Sequence, residues 1–374
     1  MMTDQERVFL EFLKAGLWNR EPQLDRSLGN DEWNALLQMA MKQAVMGLVF
    51  DGVSLLPAEA KPPRKGMMWW LKFEMKLADI NRNLAQHAEQ VAALFRERGI
   101  KAIIVKGLAV AEYYPFPLHR NSGDIDLWVA EEQYREACEA VKTLHPDNFA
   151  IGKEHANAEI GKWVLELHSS LTHSHLLPVS QRAHRWLTEN VQKTAGEIHG
   201  FGRPNKQFHT IFVFFHFFQH FIQSGVGFRH LCDWCRCLYV TRGQWDETWL
   251  RDTLRSIGLL KPWLVFGYVA VKYMDLPRDA MPLYRDYSDR HALRLLDAMF
   301  DEGNFGYHSE HRQHAKSDSY VAYRFSNFKW KLQRFGFLFR IFPVNTLRSF
   351  GDPFEILKQI WTHKDEPINS KESS

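Results

Sequence analysis

The chain has 374 residues, of which 45% are hydrophobic and 24% charged, and its formal net charge at pH 7 is +3. This balance is ordinary for a globular protein, and the length suffices for two or three packed units. The near-neutral charge and the lack of a dense basic block disfavour long nucleic acid as a partner.

The first 99 residues are predicted to form an N-terminal helical region. Apolar residues recur at helical spacing in three segments: ERVFLEFLKAG, DEWNALLQMAMKQAVMGLVFDGV and MMWWLKFEMKLADINRNLAQHAEQVAALFRERG. The third segment ends in a basic turn followed by Gly99, which is typical of a helix C-terminus. A proline-rich linker, LLPAEAKPPRKG, separates it from the second.

Residues 100–177 are predicted to form a small α/β module. KAIIV is a short strand, LAVAEYY a helix stopped by Pro115 and Pro117, DIDLWVA a strand, and EEQYREACEAVKTL a helix. FAIGKEH, AEI and KWVLELHSSL follow as candidate strands, with HANA interpreted as a hairpin tip. The fold is therefore predicted to be α+β, with a mixed-sheet module between N-terminal and C-terminal helical regions.

Helices are predicted again for residues 178–362, with turns at GFGRPN and QSGVG among others, and the polar tail at 363–374 is predicted to be disordered. The apolar run from Ile211 to Ile222 is too short and polar to cross a bilayer. The N-terminus lacks the pattern of a signal peptide, and the four cysteines do not suggest a disulfide framework. We expect a cytoplasmic protein without a transmembrane segment.

Two aspartates, Asp124 and Asp126, lie two residues apart in an apolar strand pattern. Residues i and i+2 of a strand point to the same side, so both carboxylates are expected on one face. Buried like charges repel, and desolvation adds to the cost. Mg²⁺ removes both problems because it prefers oxygen ligands. The pair alone is equally compatible with two solvated aspartates at a strand end.

The surrounding residues add a family resemblance. VKG, YYPFPLHR and GDIDLWV, with LELH and HFFQH…FRHLCDW further on, resemble a bacterial family within the DNA polymerase β-like nucleotidyltransferase superfamily. That superfamily combines Gly-Ser at a strand–helix junction, D-x-D on the next strand and a third carboxylate on a later one. Here Leu108 replaces the serine, and Lys106 offers a substitute charge.

The resemblance implies a two-metal site in which Asp124, Asp126 and Glu166 bind Mg²⁺ or Mn²⁺ and carry catalysis. Glu166 is expected to point inward from the strand KWVLELHSSL, with His168 on the same face. The remaining contacts to the nucleoside triphosphate, most simply ATP, are assigned to Lys106, Gly107, Arg120, Ser122, Gly123, His168, His220, Arg229 and Asp233.

Structural interpretations of several of these residues remain open. Arg120 and Ser122 also fit an exposed loop, His168 a satisfied half-buried histidine, and Arg229 with Asp233 a buried ion pair between helices. His216 and His220 have the spacing of zinc ligands but lack a convincing partner pair, so no structural zinc is expected.

The sequence thus predicts a metal-dependent enzyme that moves a nucleoside monophosphate, most simply AMP, to an acceptor hydroxyl. The acceptor is a small molecule, a sugar or a protein side chain. The alternative is a non-catalytic nucleotide-binding or antitoxin-like regulatory protein that retains the fold. Both aspartates and a third acid are present, which favours an active enzyme.

Overall fold

The computed structural model describes residues 2–145, 148–160, 163–172, 178–223, 225–304 and 332–349. The chain divides into two compact units, Met1–Glu310 and His311–Ser374. In the second unit, residues 332–341 and Pro343–Ser349 are helical, and Leu338 and Phe342 are buried. The predicted disordered tail and residues 350–362 lie outside the described residues.

Four helices precede the sheet: α1 (Asp4–Trp18), α2 (Asn30–Lys42), α3 (Met46–Ser54) and α4 (Arg64–Glu97). The N-terminus of α1 is fixed by a reciprocal capping box between Thr3 and Glu6. In α4, buried apolar residues recur every three or four positions at Leu84, Ala88, Val91 and Phe95. This stripe faces the sheet and joins its hydrophobic core.

A single seven-stranded mixed sheet follows, with strand order β3-β4-β5-β2-β1-β7-β6. Its strands are β1 (Ala102–Ile104), β2 (Asp124–Val129), β3 (Phe149–Ile151), β4 (His155–Ile160), β5 (Trp163–His168), β6 (Thr194–Ile198) and β7 (Phe201–Pro204). Strand β2 is antiparallel to β1 and parallel to β5, and β1 is parallel to β7. The observed architecture confirms the predicted α+β class.

The two faces of the sheet differ in chemistry. Helices α5 (Leu108–Ala111) and α6 (Glu131–Leu144) lie between strands, and α4 and α6 pack on one face around Ile104, Leu127 and Leu167. The other face of β2 and β5 carries polar side chains and is bordered by α8 (Lys206–Gln223) and α9 (Phe228–Val240). Polar residues on this second face therefore meet residues from the C-terminal helices.

The described helices of the C-terminal region include α7 (Pro178–Val191), α10 (Glu247–Ser256), α11 (Leu260–Tyr273) and α12 (Asp289–Glu302), besides α8 and α9. Aromatic contacts fix α8 among its neighbours. Phe214 of α8 packs with its ring centroid 4.5 Å from Trp234 of α9 and 5.2 Å from Trp263 of α11. No helix within the described ranges is long and apolar enough to cross a membrane.

The second helical segment contains two helices, because Ala44 takes a left-handed backbone conformation between α2 and α3. Several predicted elements were wrong. The helix predicted for LAVAEYY ends already at Ala111. HANA is part of strand β4, not a hairpin tip. Helices do not continue unbroken after residue 178, since β6 and β7 form a hairpin that extends the sheet beyond β1.

Candidate active site

Three carboxylates meet on one face of two parallel strands. The register of β2 and β5 places Asp126 opposite Glu166, and Asp124 two residues earlier on the same side. The intervening Ile125 and Leu165 enter the core. Oxygen atoms of the three carboxylates lie within 4.8 Å of one another. The strand pattern predicted for Glu166 agrees with this placement, while its role stays a prediction.

Basic side chains offset this negative charge. Lys106 Nζ lies 2.5 Å from Asp126 Oδ1, and His168 Nε2 lies 3.2 Å both from that atom and from Glu166 Oε2. Burial and the neighbouring Asp126 raise the pKa of Asp124. Burial also opposes ionisation of Glu166, but hydrogen bonds with His155 and His168 lower its pKa below the ordinary value. The cluster therefore places carboxylates and basic side chains in close contact, with little exposure to solvent.

Gly107 brings the chain after β1 against β2. Its φ is +54°, a conformation that disfavours a side chain, and a Cβ there would lie 2.7 Å from the backbone oxygen of Asp124. The glycine caps the N-terminus of the four-residue helix α5, as predicted for a strand–helix junction. Glycine at this position lets Lys106 enter the carboxylate cluster from the neighbouring strand end.

Arg120 is buried and paired with Asp233 of α9. Its Nε and Nη2 atoms donate to the two carboxylate oxygens at 2.7 Å each, and Tyr114 Oη donates to Asp233 Oδ1 at 2.6 Å. Arg120 also donates to Ser122 Oγ at 3.1 Å. Arg229, by contrast, donates to the backbone oxygen of Asn121 at 3.1 Å. The ion pair between Arg120 and Asp233 thus joins the loop before β2 to α9.

The loop that carries Arg120 is fixed from a second side. His119 lies between two acids, with Nδ1 2.6 Å from Asp51 Oδ1 and Nε2 3.1 Å from Glu74 Oε1. The hydrogen bond with Asp51 raises the pKa of His119 against the effect of burial. Both ring nitrogens are engaged by carboxylates, which favours the imidazolium form. This cluster therefore anchors the loop to α3 and α4.

Two adjoining clefts open beside the carboxylates, with cavity volumes of about 40 Å³ and 230 Å³. Both are lined by Lys106, Asp124 and His216. The first is completed by Gly107, Arg120, Asp126, Arg229, His230 and Asp233 among others. The second is completed by His155, Glu166, His168, Ser170 and His220 among others.

The structure thus gathers most of the predicted site residues. Ser122 and Gly123 lie just before β2 but outside the lining of both clefts. Within the described ranges, the groups of side chains that could hold a metal include neither a cysteine nor His216 or His220. The four cysteines are buried free thiols, and burial raises the pKa of Cys235.

Sequence reasoning missed two residues of this site. His155 reaches Glu166 from β4, with His155 Nε2 3.5 Å from Glu166 Oε2, and its ring lies 4.7 Å from that of His168. The sequence pattern that could have revealed His155 is the alternation of His155, Asn157 and Glu159 with two alanines, which is typical of a strand. His230 of α9 lines the first cleft, and burial lowers its pKa well below the ordinary value.

The family of uncharacterised nucleotidyltransferases matches residues 29–275, which include the whole sheet and helices α8 and α9. The match covers well over half of the chain, and the chain therefore belongs to this family. No curated protein and no solved structure matches it.

Proposed function

We propose that the protein transfers a nucleoside monophosphate, most simply AMP from ATP, to an acceptor hydroxyl of a small molecule, a sugar or a protein. The observation that supports this proposal is the placement of Asp124, Asp126 and Glu166 on one strand face beside Lys106. Membership of a nucleotidyltransferase family supports the same reaction class.

The three carboxylates fit a hard divalent cation. Their oxygens lie within 4.8 Å of one another, and burial together would be costly without a positive partner. Mg²⁺ or Mn²⁺ bound by Asp124, Asp126 and Glu166 would offset the negative charge of the triphosphate and of the transition state.

The remaining cleft residues position the substrates. Lys106, which contacts Asp126, also lines both clefts and supplies a positive charge for a phosphate oxygen. Arg229 adds a second cation in the first cleft, while Arg120 and Asp233 brace its wall. The residues of this cleft therefore suit the triphosphate, and the second cleft leaves room for the acceptor.

In the reaction, the acceptor oxygen forms a bond to the α-phosphorus while the bond between that phosphorus and the bridging oxygen breaks. Pyrophosphate takes the bonding electron pair and leaves. The acceptor hydroxyl donates a hydrogen bond to Glu166, and its proton departs through that carboxylate as the new bond forms. The chain's task is thus to align the hydroxyl and the α-phosphate and to stabilise charge.

The alternative function is nucleotide binding without catalysis, as in an antitoxin-like regulator. A protein of that kind does not need a third acid beside the aspartate pair, and Glu166 occupies that place here. The intact set of three carboxylates therefore favours an active enzyme over the alternative.

Labelled nucleotides test the proposal. The full chain is incubated with cell extract, Mg²⁺ or Mn²⁺, and ATP labelled at either the α- or the γ-phosphate. We expect α-label on a product that is absent with Asp124→Asn. Transfer of γ-label would indicate a kinase, and nucleotide binding without any transfer would support the alternative.

A further inference from the structure

Glu166 has a second set of neighbours besides the aspartates. His168 Nε2 and His155 Nε2 lie 3.2 Å and 3.5 Å from the same oxygen, Glu166 Oε2. All three donor atoms lie within 4.8 Å of one another. The antiparallel register sets His155 directly opposite His168, so both rings rise from the same face as the carboxylate.

These distances also suit the ligands of a shared cation. Charge-assisted hydrogen bonds between nitrogen and oxygen usually span about 2.7–2.9 Å, and both contacts are longer. Ligands about 2.1 Å from one metal ion lie about 3.0 Å apart in octahedral and about 3.4 Å apart in tetrahedral geometry. The observed separations lie near these ligand-to-ligand distances.

We propose that His155, Glu166 and His168 form a second cation site that takes a divalent transition metal. Two imidazoles and one carboxylate are the ligands that such ions prefer, whereas Mg²⁺ prefers oxygen. The proposal rests on the proposed function in one respect, because Glu166 is shared with the carboxylate site. The protein would then bind two different cations: Mg²⁺ or Mn²⁺ at the carboxylates and a divalent transition metal at the histidine site.

The surroundings leave open coordination positions. His155 is partly exposed, and the second cleft extends from these ligands past Ser170 towards His216 and His220 on α8. Water or an acceptor oxygen can therefore complete the coordination shell from the cleft. On the far side, His168 contacts Asp126, which links the histidine ligands to the carboxylate site.

Co²⁺ is a suitable probe because its visible absorption changes when imidazole nitrogen binds. The full chain is titrated with Co²⁺ in excess Mg²⁺, which occupies the oxygen site. We expect one equivalent to bind, and His155→Ala to weaken this binding at least about tenfold. His87→Ala, which removes an imidazole from α4, is the matched control and should bind Co²⁺ like the wild type.

A second arm separates this inference from the proposed function. Asp124→Asn should abolish Mg–ATP binding but leave the Co²⁺ absorption unchanged. His155→Ala should lose the Co²⁺ absorption but still bind Mg–ATP. Unchanged Co²⁺ absorption in His155→Ala, or loss of wild-type Co²⁺ binding in excess Mg²⁺, would overturn the histidine site. If His155→Ala unfolds, His155→Asn keeps a polar strand residue and gives the same test. Failure of Mg–ATP binding alone would instead count against the proposed function.

Discussion

The buried ion pair between Arg120 and Asp233 offers a sharp test of the packing between the sheet and α9. Asp233→Asn keeps the size of the side chain but replaces one acceptor oxygen with an amide donor. Three hydrogen bonds end on Asp233 in the native chain, two from Arg120 and one from Tyr114. In the variant, the amide N–H group therefore faces a donor of Arg120 or Tyr114. The Arg120 guanidinium also loses its negatively charged partner.

The expected cost follows from burial. Arg120 and Asp233 are each only 5% exposed, so water cannot replace the lost partner. Removing one member of a buried ion pair typically costs about 3–5 kcal/mol. By contrast, Asp252 and Arg255 form a pair whose side chains are 65% exposed, and such surface pairs contribute about 0–1 kcal/mol.

Urea unfolding followed by tryptophan fluorescence measures both variants. We expect Asp233→Asn to lower the free energy of unfolding by about 3–5 kcal/mol, while the control Asp252→Asn stays within about 1 kcal/mol of wild type. If Asp233→Asn were as stable as the control, the buried pair described here would not hold α9 to the loop before β2.

Other substitutions probe the remaining parts of the site. Glu166→Gln should slow transfer at least about 100-fold while ATP binding persists, and transfer at the wild-type rate would refute its role; Glu159→Gln is the control. Gly107→Ala should lower the free energy of unfolding by about 1–3 kcal/mol because of strain and contact with Asp124, whereas Gly123→Ala should not, and equal stability of the two variants would contradict this geometry. His119→Ala should cost about 1.5–3 kcal/mol just above pH 6, where Asp51, whose pKa is raised by burial to about 6, is ionised beside the imidazolium. The cost should shrink as the pH rises further through the raised pKa of His119, because the ion pair needs the imidazolium; a cost that grows with pH over this range would contradict the His119 pairing.

The carboxylate face could be predicted because its signal is local. Alternation of apolar and charged residues in DIDLWV and WVLELH sets the face of each side chain within its own strand. The alignment of Asp126 with Glu166, however, depends on β2 and β5 being neighbours, which the sequence alone did not show. The family resemblance supplied that expectation.

Features that depend on distant pairing were missed. In β6, four of five residues are exposed, so the strand lacks an apolar pattern and owes its place to pairing with β7. In β4, buried alanines alternate with polar residues, a pattern weak enough to resemble a turn. That error hid His155 from the predicted site.

The sequence also did not predict which arginine forms the ion pair with Asp233. One interpretation of the sequence was a buried ion pair between Arg229 and Asp233, and both residues lie on α9. The fold instead brings Arg120 to Asp233 from 113 residues away. Such a pairing depends on how the loop before β2 packs against α9, and no pattern within either segment specifies it.

Mg–ATP binding to the wild type and to the double variant Asp124→Asn/Asp126→Asn tests the site most directly. Calorimetry on the full chain measures the affinity, and urea unfolding shows that the variant is folded. We expect the wild type to bind ATP only with Mg²⁺ or Mn²⁺ and the folded double variant to lose that binding. Undiminished Mg–ATP affinity in the folded double variant would contradict the assignment of the nucleotide site to this strand face.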